Sequence, residues 1–348
     1  MRTISILALM IFIVSLSCTR SVHVNKSEKM LDVKYISTCK LYGFDEFLIT
    51  TSLKGVSIFK VVSRVNVKKI LDIDLNKVKE VIKDGDVLVF HSLEKIIGYS
   101  LEKEAVIWEH NIGVNLTDKV KVLEGELRFF VVCKGEHQLI DIRTLDGRIK
   151  LVKQKDIIDE TKIYSDAYLT GNGVLLKSDV NSSLEYYANY DLNTLVWENE
   201  YLRSDFRRIK ILVNNKSLFC VFGENVEVID LENGKVKKTF DVPFNIDNIV
   251  FGDKLIVIST KEKAFVLSYD LTFKKEFETN GEGVFHIRDD VFYSIESSKS
   301  IKIQREGESI KYNIGENGLL SNIIDFNNTY VFVSKLGEFV FVDIKTSS

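Results

Sequence analysis

The sequence predicts an all-β fold: an eight-bladed β-propeller of four-stranded antiparallel blades, its ring closed by an N-terminal strand. Three observations predict it. A compact apolar run recurs eight times, about 40 residues apart. Each run leads through a polar turn into a second strand. The composition, with 22 Phe and 13 Tyr, suits strands better than helices. A period near 40 with about four strands per unit is the sequence signature of a propeller.

The runs are Phe47-Leu48-Ile49, Val87-Leu88-Val89-Phe90, Phe129-Phe130-Val131-Val132 and Val174-Leu175-Leu176 in the first half. Leu218-Phe219-Cys220-Val221-Phe222, Leu255-Ile256-Val257-Ile258, Val291-Phe292-Tyr293 and Tyr330-Val331-Phe332-Val333 follow. Successive starts lie 40, 42, 45, 44, 37, 36 and 39 residues apart. Residues 66–102 display one stretch in full, with strands expected at 66–73, 78–82, 87–90 and 96–101. The runs are apolar on successive residues, as expected of inner strands covered on both sides by neighbouring blades. An outer strand meets solvent on one face, and residues 225–230 alternate as such a strand would. Asn233-Gly234 and Asp146-Gly147 supply the positive φ angles of tight hairpins.

The chain ends soon after the second strand of the eighth unit, residues 338–344, so that unit lacks its outermost strand. Residues 30–52 align without a gap on 70–92, with Met30-Leu31-Asp32-Val33 over Ile70-Leu71-Asp72-Ile73. This register places residues 30–33 against the final strand and closes the ring, which removes exposed sheet edges. A repeat array that closes on itself is one domain, whatever its length. The resulting division is a signal peptide at 1–17, a tether at 18–29 and a single propeller at 30–348.

Arg2 and the apolar stretch 4–16 have the proportions of an export signal and are too short to span a bilayer comfortably. The stretch ends in Ser15-Leu16-Ser17-Cys18, a small residue followed by cysteine. An ordinary signal peptide with a chance cysteine is the other reading of these residues. From Cys18 to residue 30, the tether would reach roughly 36 Å at most. Three cysteines remain, Cys39, Cys133 and Cys220, with no zinc-ligand spacing. Their odd number forbids full pairing, and small buried hydrophobes are their expected role.

The net charge of −3 includes no basic stripe of the kind nucleic-acid binding requires. Five histidines, His23, His91, His110, His137 and His286, show no metal-ligand spacing. No nucleophile elbow or phosphate-binding glycine loop occurs, and the glycine pairs lie between strands, where glycine serves turns. No catalytic residue, metal or cofactor is expected from the motifs. Sites assembled from different blades stay open at this level.

Tyr190-Asp191-Leu192 leading to Trp197, and Tyr99-Ser100-Leu101 leading to Trp108, resemble the PQQ-type propeller repeat over residues from about 30 onward. Only two of the eight units keep the tryptophan. The Ser17-Cys18 junction resembles the lipobox of bacterial lipoproteins, in which the cysteine is acylated. It departs from the commonest form in having Ser15 where leucine is usual, as relaxed spirochaetal boxes do. Dehydrogenases of the repeat family carry a vicinal disulfide, and no Cys-Cys pair exists here.

The other branch, the BamB lipoproteins, is similar to this chain in lipobox, repeat number and lack of cofactor residues. That resemblance implies a non-enzymatic scaffold, lipid-anchored in the outer membrane on its periplasmic face. Its partner would be a POTRA-bearing barrel-assembly protein. Alternatives are a surface lipoprotein binding host or environmental ligands and, further off, a PQQ-type dehydrogenase. The longest repeats are the third and fourth. The fourth ends in a segment holding Tyr201, Arg203, Phe206, Arg207 and Arg208, residue types that dominate binding hot spots. These five are the candidate partner-binding residues, and a plain connecting loop is the other reading.

Overall fold

A computed structural model describes residues 22–31, 39–53, 55–117, 120–133, 136–156, 163–201, 210–214, 217–222, 224–243, 245–251, 254–278, 284–288, 291–297, 300–305, 308–313, 319, 321–327 and 329–344. Among these residues the structure is all strand and turn. Strand β1 (Val22–Lys29) comes first. Strands β2 (Lys40–Phe44), β3 (Phe47–Ser52), β4 (Gly55–Ser63) and β5 (Asn66–Ile73) form the first blade, hydrogen-bonded in chain order. The second blade is β6 (Glu80–Asp84), β7 (Val87–His91), β8 (Lys95–Ser100) and β9 (Ala105–Asn111).

The third blade has five strands: β10 (Val114–Asn115), β11 (Lys121–Leu123), β12 (Glu126–Cys133), β13 (Glu136–Arg143) and β14 (Ile149–Asp156). Strands β15 (Asp166–Leu169), β16 (Gly173–Ser178), β17 (Ser183–Ala188) and β18 (Leu195–Glu200) make the fourth. The fifth comprises β19 (Lys210–Asn214), β20 (Ser217–Phe222), β21 (Asn225–Asp230) and β22 (Val236–Asp241). The sixth is β23 (Asn248–Phe251), β24 (Leu255–Ser259), β25 (Lys263–Ser268) and β26 (Phe273–Glu278). The seventh is β27 (Val284–Arg288), β28 (Val291–Ser297), β29 (Ser300–Arg305) and β30 (Glu308–Asn313). Last come β31 (Ile324–Phe326), β32 (Thr329–Val333) and β33 (Glu338–Ile344), which share a sheet with β1 in the order β1-β33-β32-β31.

The expectation of eight uniform four-stranded blades is therefore corrected. Seven blades are each made by consecutive strands, and the ring is completed by a composite sheet from the two ends of the chain. One of the seven is five-stranded, because two short strands, β10 and β11, both pair with β12.

The closing strand is also displaced. It is β1, pairing Val22 with Ile344 and Lys29 with Glu338, not residues 30–33. The ungapped alignment assumed equal linkers before the next inner strand. The linker is residues 74–79 between β5 and β6, but residues 30–39 between β1 and β2. Met30 and Leu31 instead donate their N–H groups to the Gly337 carbonyl, at 2.9 and 3.1 Å. The propeller domain thus begins near residue 22, inside the stretch read as tether.

Each apolar run is the second strand of its sheet, and its successive residues serve different neighbours. Leu48 packs against the closing sheet with Val331, Phe339 and Phe341, while Phe47 and Ile49 face the second blade. Leu88 and Phe90 meet the first blade, whereas Val87 and Val89 meet the third. The same division separates Leu218, Cys220 and Phe222 from Phe219 and Val221. Alternate residues point to opposite faces of a strand, so burial on both faces demands an unbroken apolar run. Each fully buried Leu or Phe contributes about 1.5–3 kcal/mol by area. Strand β21, expected to be an outer strand, is the third strand of its blade with Val226, Glu227, Val228 and Ile229 all buried. The outer strand is β22, whose residues are nearly all exposed.

The outer ladders carry a recurring β-bulge, at Ile58/Phe59, Gly98/Tyr99, Leu139/Ile140, Tyr186/Tyr187, Val228/Ile229 and Val266/Leu267. Just before two of these bulges lie the tryptophans, Trp108 opposite Gly98 and Trp197 opposite Tyr186. Each reaches the next blade: Trp108 Nε1 donates to the Thr144 carbonyl at 2.7 Å, and Trp197 Nε1 to that of Leu231 at 2.8 Å. The fifth and sixth blades hold lysine in this register. Lys238 Nζ lies 3.3 Å from Thr272 Oγ1, and Lys275 sits 4.9 Å from the Phe292 ring centroid, again on the following blade.

Candidate functional site

Antiparallel order gives the ring two ends. The upper end carries the hairpins between second and third strands and the links between blades. The lower end carries the other turns. Of the sequence-derived partner-binding residues, Tyr201 lies at the upper end. Its N–H donates to the Ser182 carbonyl at 2.8 Å, and its half-buried ring packs 5.2 Å from Phe222 between the fourth and fifth blades. Arg203, Phe206, Arg207, Arg208 and Cys18 lie outside the described residues.

Two buried polar networks, invisible as motifs, occupy the upper part of the ring. Between the second and third blades, the Asn115 amide donates to His91 Nδ1 at 3.2 Å and to the Ser92 carbonyl at 3.2 Å. His91 Nε2 faces Glu80 Oε2 at 3.4 Å, an oxygen that also accepts the Val120 N–H at 3.2 Å. This arrangement assigns the ring proton to Nε2. Lys79 Nζ donates to the carbonyls of Asn115 and Thr117.

Between the third and fourth blades, fully buried Glu185 accepts hydrogen bonds from Tyr164 and Tyr187 at 2.8 and 2.5 Å. Burial and the Glu185 carboxyl push both phenols well above their ordinary range. They remain donors at any working pH, which suits a brace and not acid–base chemistry. The sequence trace of each network is a polar residue within or beside an apolar strand: His91 after Phe90, Glu185 between Leu184 and Tyr186.

An open cleft of about 330 Å³ lies at the upper end, lined by Cys39, Lys40, Thr51, Ser52, Leu53, Lys77 and Val78. It sits where β2 begins and β3 ends, beside the link from the first blade to the second. Burial pushes the Cys39 thiol up to about 12, so it is an inert wall and not a nucleophile. Cys39, Cys133 and Cys220 are all free thiols, buried as expected at Cys39 and Cys220 but only half-buried at Cys133. Lys77 has a left-handed backbone, φ 54°, uncommon outside glycine. Leu53, at the rim, is 74% exposed, and the upper hairpin tips also expose Val180 and Leu336, with Ile163 nearby.

No family model matches the chain, and no curated protein is similar to it in sequence. Solved structures are similar in fold. Sqt1 of Saccharomyces cerevisiae superposes with a TM-score of 0.62 at 10% identity, over 90% of this chain and 96% of that one. The C-terminal WD40 domain of Sif2 gives 0.57 at 11%, over 94% and 97%. At such identity the likeness establishes the β-propeller fold alone. BamB from Moraxella catarrhalis gives only 0.45 at 13%, over 76% and 96%, too weak to carry the resemblance read from the sequence.

Proposed function

We propose that the chain is a lipid-anchored scaffold that holds a protein partner on the upper end of its propeller. The observation that carries this reading is the exposure of apolar side chains on upper connections, Leu53 and Leu336 on adjoining sheets and Ile163 and Val180 on the fourth blade. A hairpin tip has no structural need of an apolar residue, and an exposed apolar side chain there is available to a partner. The position of β1 supports the anchoring. Val22 pairs with Ile344 at the lower end and β1 climbs to the upper hairpin at Gly337. An acyl chain on Cys18 would thus attach at the lower end, with only residues 19–21 between, roughly 14 Å at full stretch. The upper end would then face away from the membrane.

Within this reading, the lipobox resemblance favours the outer membrane, periplasmic face, and a POTRA-bearing barrel-assembly partner. Affinity purification of the tagged protein from membranes tests it. The parent should co-elute with a barrel-assembly protein, Val180→Asp with Leu336→Asp should lose it, and a lower-end control at exposed Leu145 should keep it. Cys18→Ser should move to the soluble fraction. Digestion of the protein by protease added to intact cells would turn the reading toward a surface-displayed ligand binder, and the absence of any co-eluting protein would reject the scaffold.

A further inference from the structure

We propose that the cleft between the first and second blades receives an acidic, partly apolar segment of the partner polypeptide. The inference rests on the scaffold reading above and deepens it. Both charged residues in the lining, Lys40 and Lys77, are exposed cations with no ion-pair partner among the described residues. Two unpaired cations converging on one concavity present a charge that a carboxylate-bearing ligand would complement.

Glu80, two residues beyond Val78, is engaged elsewhere. It acts on Tyr42 behind Thr51, and one of its oxygens is taken by Val120 N–H and His91. Alongside the cations lie an apolar rim, Leu53 and Val78, and two hydroxyl residues, Thr51 and Ser52. Ligand sites combine an apolar wall with a few placed polar groups in this way.

A peptide fits better than a small anion. The cleft opens onto the upper surface where Leu53 projects, and an anion as small as phosphate would use the lysines and leave the apolar rim uncovered. A polypeptide strand with alternating acidic and aliphatic residues would satisfy both, its carboxylates at Lys40 and Lys77 and an aliphatic side chain against Leu53 and Val78.

Fluorescence anisotropy of the full chain with a labelled peptide of alternating Glu and Leu tests this. Saturable binding is expected, falling about tenfold in Lys40→Glu, Lys77→Glu and weakening with salt. The corresponding Lys-Leu peptide should not bind. Both lysines are exposed, so the variant should melt with the parent; should it not, Lys40→Gln, Lys77→Gln serves in its place. Equal binding by parent and variant, or equal binding of the basic peptide, overturns the proposal. Displacement of the peptide by inorganic phosphate at matching concentration would assign the cleft to small anions instead and also overturns it. If Lys40→Glu, Lys77→Glu still captures the partner from membranes while Val180→Asp, Leu336→Asp does not, the cleft proposal fails and the scaffold stands.

Discussion

Gly147 and Gly234 each hold a φ of 70° in the turn that receives a neighbouring tryptophan. A Cβ on Gly147 would stand 2.6 Å from Trp108 Cγ, and one on Gly234 2.7 Å from Trp197 Cδ2. Both the left-handed backbone and the close approach exclude a side chain, so Gly147→Ala should destabilise by about 2 kcal/mol, read from the urea midpoint at unchanged slope. The Asn-Gly and Asp-Gly turns were legible in sequence from their dipeptides. That they are also sockets for a tryptophan almost 40 residues earlier was not, because the contact spans two blades. Asp270 occupies the corresponding turn of the sixth blade. Hydrogen bonds from Ser268, the Thr272 hydroxyl and the Thr272 N–H hold its carboxyl down to about 2, against an ordinary 3.8. A depressed carboxyl stabilises the fold above its ordinary value and ceases to do so as the pH falls through the folded one. Thermal melts taken between about pH 4 and pH 2 should therefore decline less steeply in Asp270→Asn than in the parent.

Strand β1 is the element on which closure depends. It pairs with β33 from Val22 to Lys29, and Ser27 Oγ accepts the Phe339 N–H at 2.9 Å. At the lower end, Arg64 of the first blade forms an ion pair with Asp343 of β33, whose carboxylate also accepts from Thr329 at 2.8 Å. Deleting residues 19–29 would leave one edge of β33 unpaired beside the buried Phe339, Val340, Phe341 and Val342. The melting temperature should fall by about 10 °C or more, with oligomers on gel filtration from the exposed edge. An unchanged, monomeric melt would contradict closure by β1. The need for a closing strand was readable from the chain ending one strand short. Its position was not, because a repeat alignment is blind to linker length. The misplacement of β21 has a related cause: Glu227 makes the strand look half-exposed, yet that side chain is buried.

At the scale of the whole molecule, the first and last described strands meet in one sheet. Val22 lies opposite Ile344, so a permuted chain that runs from residue 30 to 348 and continues directly into 22–29 would make the closing sheet contiguous. It should fold and melt within about 5 °C of the parent by circular dichroism. Failure to fold would show that the order of strand addition, and not the final pairing, governs assembly. The sequence by itself determined the all-β class, the repeat spacing, the second strand of every sheet and the tight turns. Each of these is dictated by residues adjacent in the chain: apolar runs for strands buried on both faces, glycine for left-handed turns. The tertiary structure alone decided which strand closes the ring, that the third blade gains a fifth strand, and where Glu185, His91 and the Lys40–Lys77 cleft lie. Those features join residues from different blades, and a local pattern does not encode which distant side chains will meet.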